Sequence, residues 1–252
     1  MQLFVVFVFF LPCRFALVTV TPKTRPAVFA VNEVVLGGVK GGIDLLYRDK
    51  DVQRFYVLET VARVPYFAFA SVLHLKETLG DRRGCDLLQL HYAQSDNELH
   101  HLLVMEALGG NESPVDRAVA QGAAMAFFWY ATALYALAPK MAYHLSELIE
   151  THAYATYDAY LKKHEKDLKR RPVPAVARHY YEQQNPFLFD LSVQRRRRPT
   201  KLRSLYDVFL NVRDDEQAHC TTLANLRKNG AGAPPRSSLS LKKKPLFSSS
   251  SL

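Results

Sequence analysis

Cysteine is scarce: Cys13, Cys85 and Cys220 are the only three in 252 residues. Three so widely scattered exclude a disulfide framework and a CxxC-type zinc site. No segment alternates apolar and polar residues with the period of two that a half-buried strand requires, and no internal repeat is present. Acid is absent from Gln194–Leu205 and from Arg227–Leu252, each of which carries six basic residues. Their twelve positive charges exceed the formal net charge of +9, so the remainder of the chain stands at −3. Neither basic segment has a base-reading motif, so each suits an anionic membrane surface rather than nucleic acid. What is plentiful is apolar substance. Hydrophobic residues make up 48% and aromatics 12%, which excludes a disordered chain and suffices for a sizeable core.

The composition divides the chain into three. Residues 1–32 open with the apolar run Leu3–Leu11, too short to span a bilayer, followed by a basic, acid-free stretch. That order fits a two-part targeting leader. Residues 33–226 carry helical periodicity, and residues 227–252 form a basic, Ser-rich tail expected to be disordered. Five long helices are expected: Arg54–Thr78 with a kink at Pro65, Asp86–Leu108 stopped by Gly109-Gly110, Val115–Leu137, Lys140–Lys163 and Leu205–Leu226. Pro172, Pro174, Pro186 and Pro199 mark an irregular stretch before the last of them. Within the third, Ala118–Ala138 contains only Gln121 and Thr132 as clearly polar residues. Hydropathy alone leaves it as a membrane span or as a helix lying in the membrane interface.

Four of these helices carry a carboxylate in strongly apolar surroundings. Glu59 lies in FYVLETVARVPYFAF, Glu98 in SDNELHHLLVMEAL, Glu150 in YHLSELIETHAYATY and Glu216 in VFLNVRDDEQAHC. A lone buried carboxylate costs several kcal/mol, so each needs a partner. Glu98 with His101 and Glu216 with His219 are Glu-x-x-His pairs, and positions i and i+3 share a helix face. One Glu from each of two helices and a Glu-x-x-His from each of two others is the ligand recipe of carboxylate-bridged di-iron bundles. Four carboxylates cancel the charge of two ferrous ions, and oxygen with imidazole suits iron or manganese. The expected fold is therefore all-α, a ferritin-like four-helix bundle with additional helices at the membrane interface. On the residues alone, a di-iron hydroxylase or ferroxidase shares the recipe.

The segments RFYVLETVARVPYFAFASVLHL, NELHHLLVMEALGGN, MAYHLSELIETHAYATYDAYL and LYDVFLNVRDDEQAHC closely resemble the plastid terminal oxidases, the plastid branch of the alternative oxidase family. ARVPYFAF, ETHAYATYD and RDDEQAH are similar to that branch in particular, whereas mitochondrial, ubiquinol-oxidising members carry consecutive glutamates where this chain has IETHA. The basic stretch before the last helix matches an insertion of the branch in place, though it is shorter and more basic. The resemblance implies a cyanide-insensitive oxidase with a centre of two iron ions that oxidises plastoquinol and reduces O2 to water without pumping protons. It also implies support of carotenoid synthesis or chlororespiration, a homodimer, and a monotopic place in one leaflet of the thylakoid membrane of a plastid. Carried over by residue, it makes Glu59, Glu98, His101, Glu150, Glu216 and His219 the metal ligands. Tyr157 becomes the redox tyrosine beside them, and Asp215 the acceptor that orients a ligand imidazole. Arg54, Leu58, Ala153 and Thr156 then line the quinol pocket. His74 and Tyr135 match positions typical of the branch, while His144 and His152 have the wrong spacing for ligands and read as structural.

Overall fold

The computed structural model describes residues 25–48, 50–81, 84–183 and 201–229. Most of the leader, the Arg195–Arg198 run and residues 230–252 lie outside the described residues. Among the described residues the fold is all-α, with no strand. The helices are α1 (Arg25–Leu46), α2 (Asp51–Ala62), α3 (Val64–Thr78), α4 (Cys85–Ala107), α5 (Pro114–Leu137), α6 (Pro139–Leu168), the short α7 (Ala175–Arg178) and α8 (Leu205–Asn229). A π-helical turn, His179–Gln183, continues from α7.

Proline and glycine set most of the boundaries. Pro114 and Pro139 occupy the first turns of α5 and α6, where no intrahelical N–H is needed. The Ser113 hydroxyl accepts the Asp116 N–H at 3.2 Å and caps α5. Helix α4 ends on Gly109 at φ +90°, a left-handed conformation that favours glycine. A Cβ on the following Gly110 would lie 2.7 Å from the Tyr56 Cβ and 2.9 Å from the Met105 carbonyl, so that crossing with α2 requires glycine. The single kinked helix expected over Arg54–Thr78 is instead two helices, because Pro65 in the first turn of α3 cannot donate back to α2 and the chain breaks at Arg63.

Helix α1 was not expected as a helix, and it runs across the 32/33 boundary drawn between leader and domain. Tertiary contacts hold it. The fully buried Asn32 donates to the Met141 carbonyl at 2.9 Å, and Tyr47 donates to Asp116 at 3.0 Å. Its middle, Gly37-Gly38-Val39-Lys40-Gly41-Gly42, is intrinsically poor helix, since each glycine costs about 1 kcal/mol relative to alanine. A Cβ at Gly38 or Gly41 would meet nothing within 4 Å. Gly38→Ala and Gly41→Ala should therefore each slow hydrogen exchange of the α1 amides about fivefold. Unchanged exchange would show that α1 is held by its ends alone.

Helices α2, α4, α6 and α8 form the bundle, with α6 packed along most of α8 and α3 seated between α4 and α5. One core cluster joins Phe55, Met105, Tyr157, Val208 and Phe209; a second joins Tyr66, Phe69, Tyr135, Tyr143 and Leu223. Among the described residues, one helical stretch, 51–78, is long and apolar enough to cross a membrane, and most of its apolar part is buried inside the protein. Helix α5 instead turns Val115, Met125, Trp129 and Leu137 outward.

Candidate metal centre

Each carboxylate or imidazole of the centre is carried by a bundle helix, facing inward. Glu59 comes from α2, Glu98 and His101 from α4, Glu150 from α6, and Glu216 and His219 from α8; all six are buried. The i, i+3 spacing on α4 and α8 places Glu98 beside His101 and Glu216 beside His219, as helical geometry dictates. Two groups of ligand atoms result, each with all members within 4.8 Å of one another: Glu59, Glu98, His101 and Glu216; and Glu98, Glu150, Glu216 and His219. Glu98 and Glu216 belong to both. The arrangement thus has two shared carboxylates flanked by a Glu and a His on each side.

The polar atoms in this cluster suit two cations. Both oxygens of Glu98 and of Glu216, Oε2 of Glu59 and of Glu150, Nδ1 of His101 and both nitrogens of His219 are buried without a hydrogen bond. Nδ1 of His219 does approach Oε1 of Glu98 to 2.7 Å, and Nδ1 of His101 approaches Oε1 of Glu216 to 3.0 Å, as ligands converging on common points would. Orphaned groups of this kind are costly in a dry interior, and a metal removes the cost. Burial and the Glu98 charge push the Glu59 carboxyl well above the ordinary range, and the same causes raise Glu150 and Glu216. Burial would raise Glu98 too, but its contacts with His101 and His219 outweigh it and hold Glu98 low. Metal loading of such a site displaces protons, so affinity rises with pH.

The flanking residues are ordered by named partners. The Tyr157 hydroxyl donates to Oε1 of Glu59. Oδ2 of Asp215 accepts from Nε2 of His101 at 3.2 Å, from Asn97 at 3.1 Å and from Tyr181 at 2.8 Å. A carboxylate on the far nitrogen of a ligand imidazole fixes its tautomer and ring orientation. Asn97 also donates to the Tyr180 hydroxyl at 2.6 Å, and no local motif in the sequence singles out Asn97, Tyr180 or Tyr181. The π turn that delivers the two tyrosines has no periodic signature, although such turns recur at functional sites.

Leu58, Ala153 and Thr156 line an apolar cavity of about 410 Å³ whose walls come from α1, α2, α5 and α6 and which reaches Glu59 and Tyr157. Arg54 lies outside this cavity. It pairs with Asp44 at 2.6 Å and lines an adjoining polar cleft with Lys40, Arg48 and Lys163. Thr156 and His152 border both spaces, which gives His152 a place at the junction as well as in the framework. His144 is structural, bonded to Asn32 at 3.1 Å. His74 is exposed beside Glu77, and Tyr135 is buried against Tyr143 at 2.9 Å.

Tyr143 in turn reaches Nε2 of His91 at 3.2 Å, while Nδ1 of His91 bonds Gln94 at 2.9 Å. Burial of this fully enclosed imidazole, beyond what Gln94 restores, lowers it from 6.5 to about 4. Between those values the unfolded chain binds the proton and the folded one does not, so stability falls as pH falls from 6.5 towards 4. The contribution is about 3 kcal/mol. Comparing acid unfolding of the wild type with His91→Gln should reveal that loss; parallel curves would show that His91 does not contribute.

The chain is similar to known proteins over most of its length. The family described as alternative oxidase matches residues 17–228. The chain is 48% identical over 213 residues to ubiquinol oxidase 4, chloroplastic/chromoplastic, of Arabidopsis thaliana, covering 83% of this chain and 60% of that protein. It is 28% identical over 199 residues to a mitochondrial ubiquinol oxidase of Mangifera indica, covering 79% of this chain and 57% of that one. The chain thus spans about three-fifths of the length of these relatives. With the family matched over most of its residues and nearly half of the aligned positions shared with one relative, the chain belongs to the alternative oxidase family.

Proposed function

We propose that the protein is a quinol oxidase that binds two irons, oxidises plastoquinol and reduces O2 to water. The observation that carries this reading is the pair of ligand groups sharing Glu98 and Glu216, one member of which, Glu59, lines an apolar cavity. Likeness to the chloroplastic/chromoplastic relative supports plastoquinol, rather than ubiquinol, as the substrate. Two quinols release four electrons and four protons, which with one O2 make two waters. The two irons, when bound, supply the redox and Lewis-acid chemistry of that reduction.

The chain's own residues then have separate tasks. Apolar walls, Leu58 and Ala153 among them, exclude water and accept the isoprenoid-bearing quinol. Thr156 and, at the outer cleft, Arg54 offer donors to a quinol oxygen as it enters. The Tyr157 hydroxyl, bonded to Glu59 and lining the cavity beside it, can pass on an electron and a proton that quinol then restores. Asp215 keeps the His101 ring aimed at the centre.

The outward apolar side chains of α1 (Val31, Val34, Leu45 and Leu46) and α5 suit one leaflet of a membrane, the phase in which such a quinol resides. On this reading Ala118–Ala138 lies in the interface rather than across it, as part of a monotopic homodimer on the plastid thylakoid membrane. Membranes containing the protein, supplied with a plastoquinol analogue, should take up O2 in the presence of cyanide and stop with n-propyl gallate. Cyanide-sensitive uptake, or oxygen recovered in a hydroxylated product, would overturn the assignment.

A further inference from the structure

Helix α3 carries no metal ligand, yet its Tyr66 is fully buried against two of them. The hydroxyl donates to Oε1 of Glu150 at 2.5 Å, and the ring meets the His219 ring edge-on, with centroids 5.6 Å apart at 65°. Glu150 and His219 are the two members of the second ligand group that the first group does not share. Across the centre, Tyr157 donates to Oε1 of Glu59, an unshared member of the first group. In both terminal glutamates the bonded oxygen is Oε1 and the orphan is Oε2, whereas the shared Glu98 and Glu216 take no hydroxyl and are approached by the His219 and His101 rings instead. Each tyrosine thus occupies one oxygen of a terminal carboxylate and leaves the other for a metal.

We infer that Tyr66 is the positioning residue of the second metal, the counterpart of Tyr157 at the first: it holds Glu150 to one donating oxygen and fixes the His219 ring. The inference rests on reading the cluster as a two-metal centre. Tyr66 lies seven residues after Glu59, two helical turns on, and so keeps to the ligand-bearing side across the interruption at Arg63. Phe69 meets the phenol ring edge-on and His91 lies tilted against it, at 6.4 and 6.1 Å between centroids, and together they limit its orientation.

The test is Mössbauer spectroscopy of the full chain loaded with iron, with chelator competition for each iron. Wild type should show two iron sites. Tyr66→Phe should shift the signal of one site and release that iron about 10–100-fold more readily, while Tyr157→Phe shifts the other. Tyr66→Phe that leaves both signals unchanged, or moves the one that Tyr157→Phe moves, would overturn the inference. Should Tyr66→Phe not fold, difluorotyrosine at position 66 keeps the volume and alters the strength of the donor. A shift confined to one site then supports the role, and an unchanged spectrum refutes it. Wild-type protein that binds no iron would refute the two-metal reading itself, and the role of Tyr66 with it.

Discussion

Glu98→Ala should empty the centre of iron and lower quinol-dependent oxygen uptake by at least about a hundredfold, more than the 10–100-fold typical of residues that merely orient ligands. Glu98 is fully buried and belongs to both ligand groups, and both of its oxygens lack a hydrogen bond. Its removal therefore weakens both metal positions at once. The matched control is Glu147→Ala, on the same helix as Glu150 but paired with Arg227 at the partly exposed edge of the bundle. That change should keep iron and activity and cost about 1 kcal/mol or less in stability. Iron analysis and oxygen uptake on the two variants check the contrast. Equal iron in both would remove Glu98 from the centre.

Asp215→Ala should cost about 10–100-fold in affinity for the metal held by His101, with a matching loss of activity. Its effect reaches further than one imidazole. Three donors, from His101, Asn97 and Tyr181, converge on the single oxygen Oδ2. Truncation leaves buried donors unpaired, at about 1–3 kcal/mol for each that finds no water. Asp215→Asn retains an acceptor of similar shape, and should recover part of the stability but less of the metal affinity. Thermal unfolding and iron competition on both variants separate the two contributions. If asparagine behaves like the wild type, the charge on Asp215 is irrelevant; if it behaves like alanine, the charge is what the site requires.

The bundle was readable because its residues repeat with the helical period and end at Gly109-Gly110, Pro114 and Pro139, so four expected helices lie close to α4, α5, α6 and α8. Glu-x-x-His spacing and carboxylates set in apolar helices likewise foretold the six residues that the fold draws together. Helix α1 was not readable. Four glycines in its middle argue against a helix, and contacts from residues about seventy and a hundred positions away, through Tyr47 and Asn32, outweigh them.

The supporting residues were hidden for a related reason. Tyr66 lies 84 positions from Glu150, and Tyr181 lies 34 from Asp215. No local spacing connects such pairs, and a tyrosine in an apolar run reads simply as core. Arg54 shows the opposite case. Its expected place in a quinol pocket rests on likeness alone, and the fold sets it against Asp44 in a polar cleft that adjoins the apolar cavity of Leu58 and Ala153.

The proposed function requires this buried set of carboxylates and imidazoles to pass the electrons of quinol to O2. The most direct measurement is the ratio of quinol oxidised to O2 consumed by the iron-loaded protein, with hydrogen peroxide assayed in the same vessel. Two quinols should be oxidised for each O2 with no peroxide formed, and the turnover should vanish in Glu98→Ala. One quinol for each O2 with peroxide accumulating, or undiminished turnover in Glu98→Ala, would contradict it.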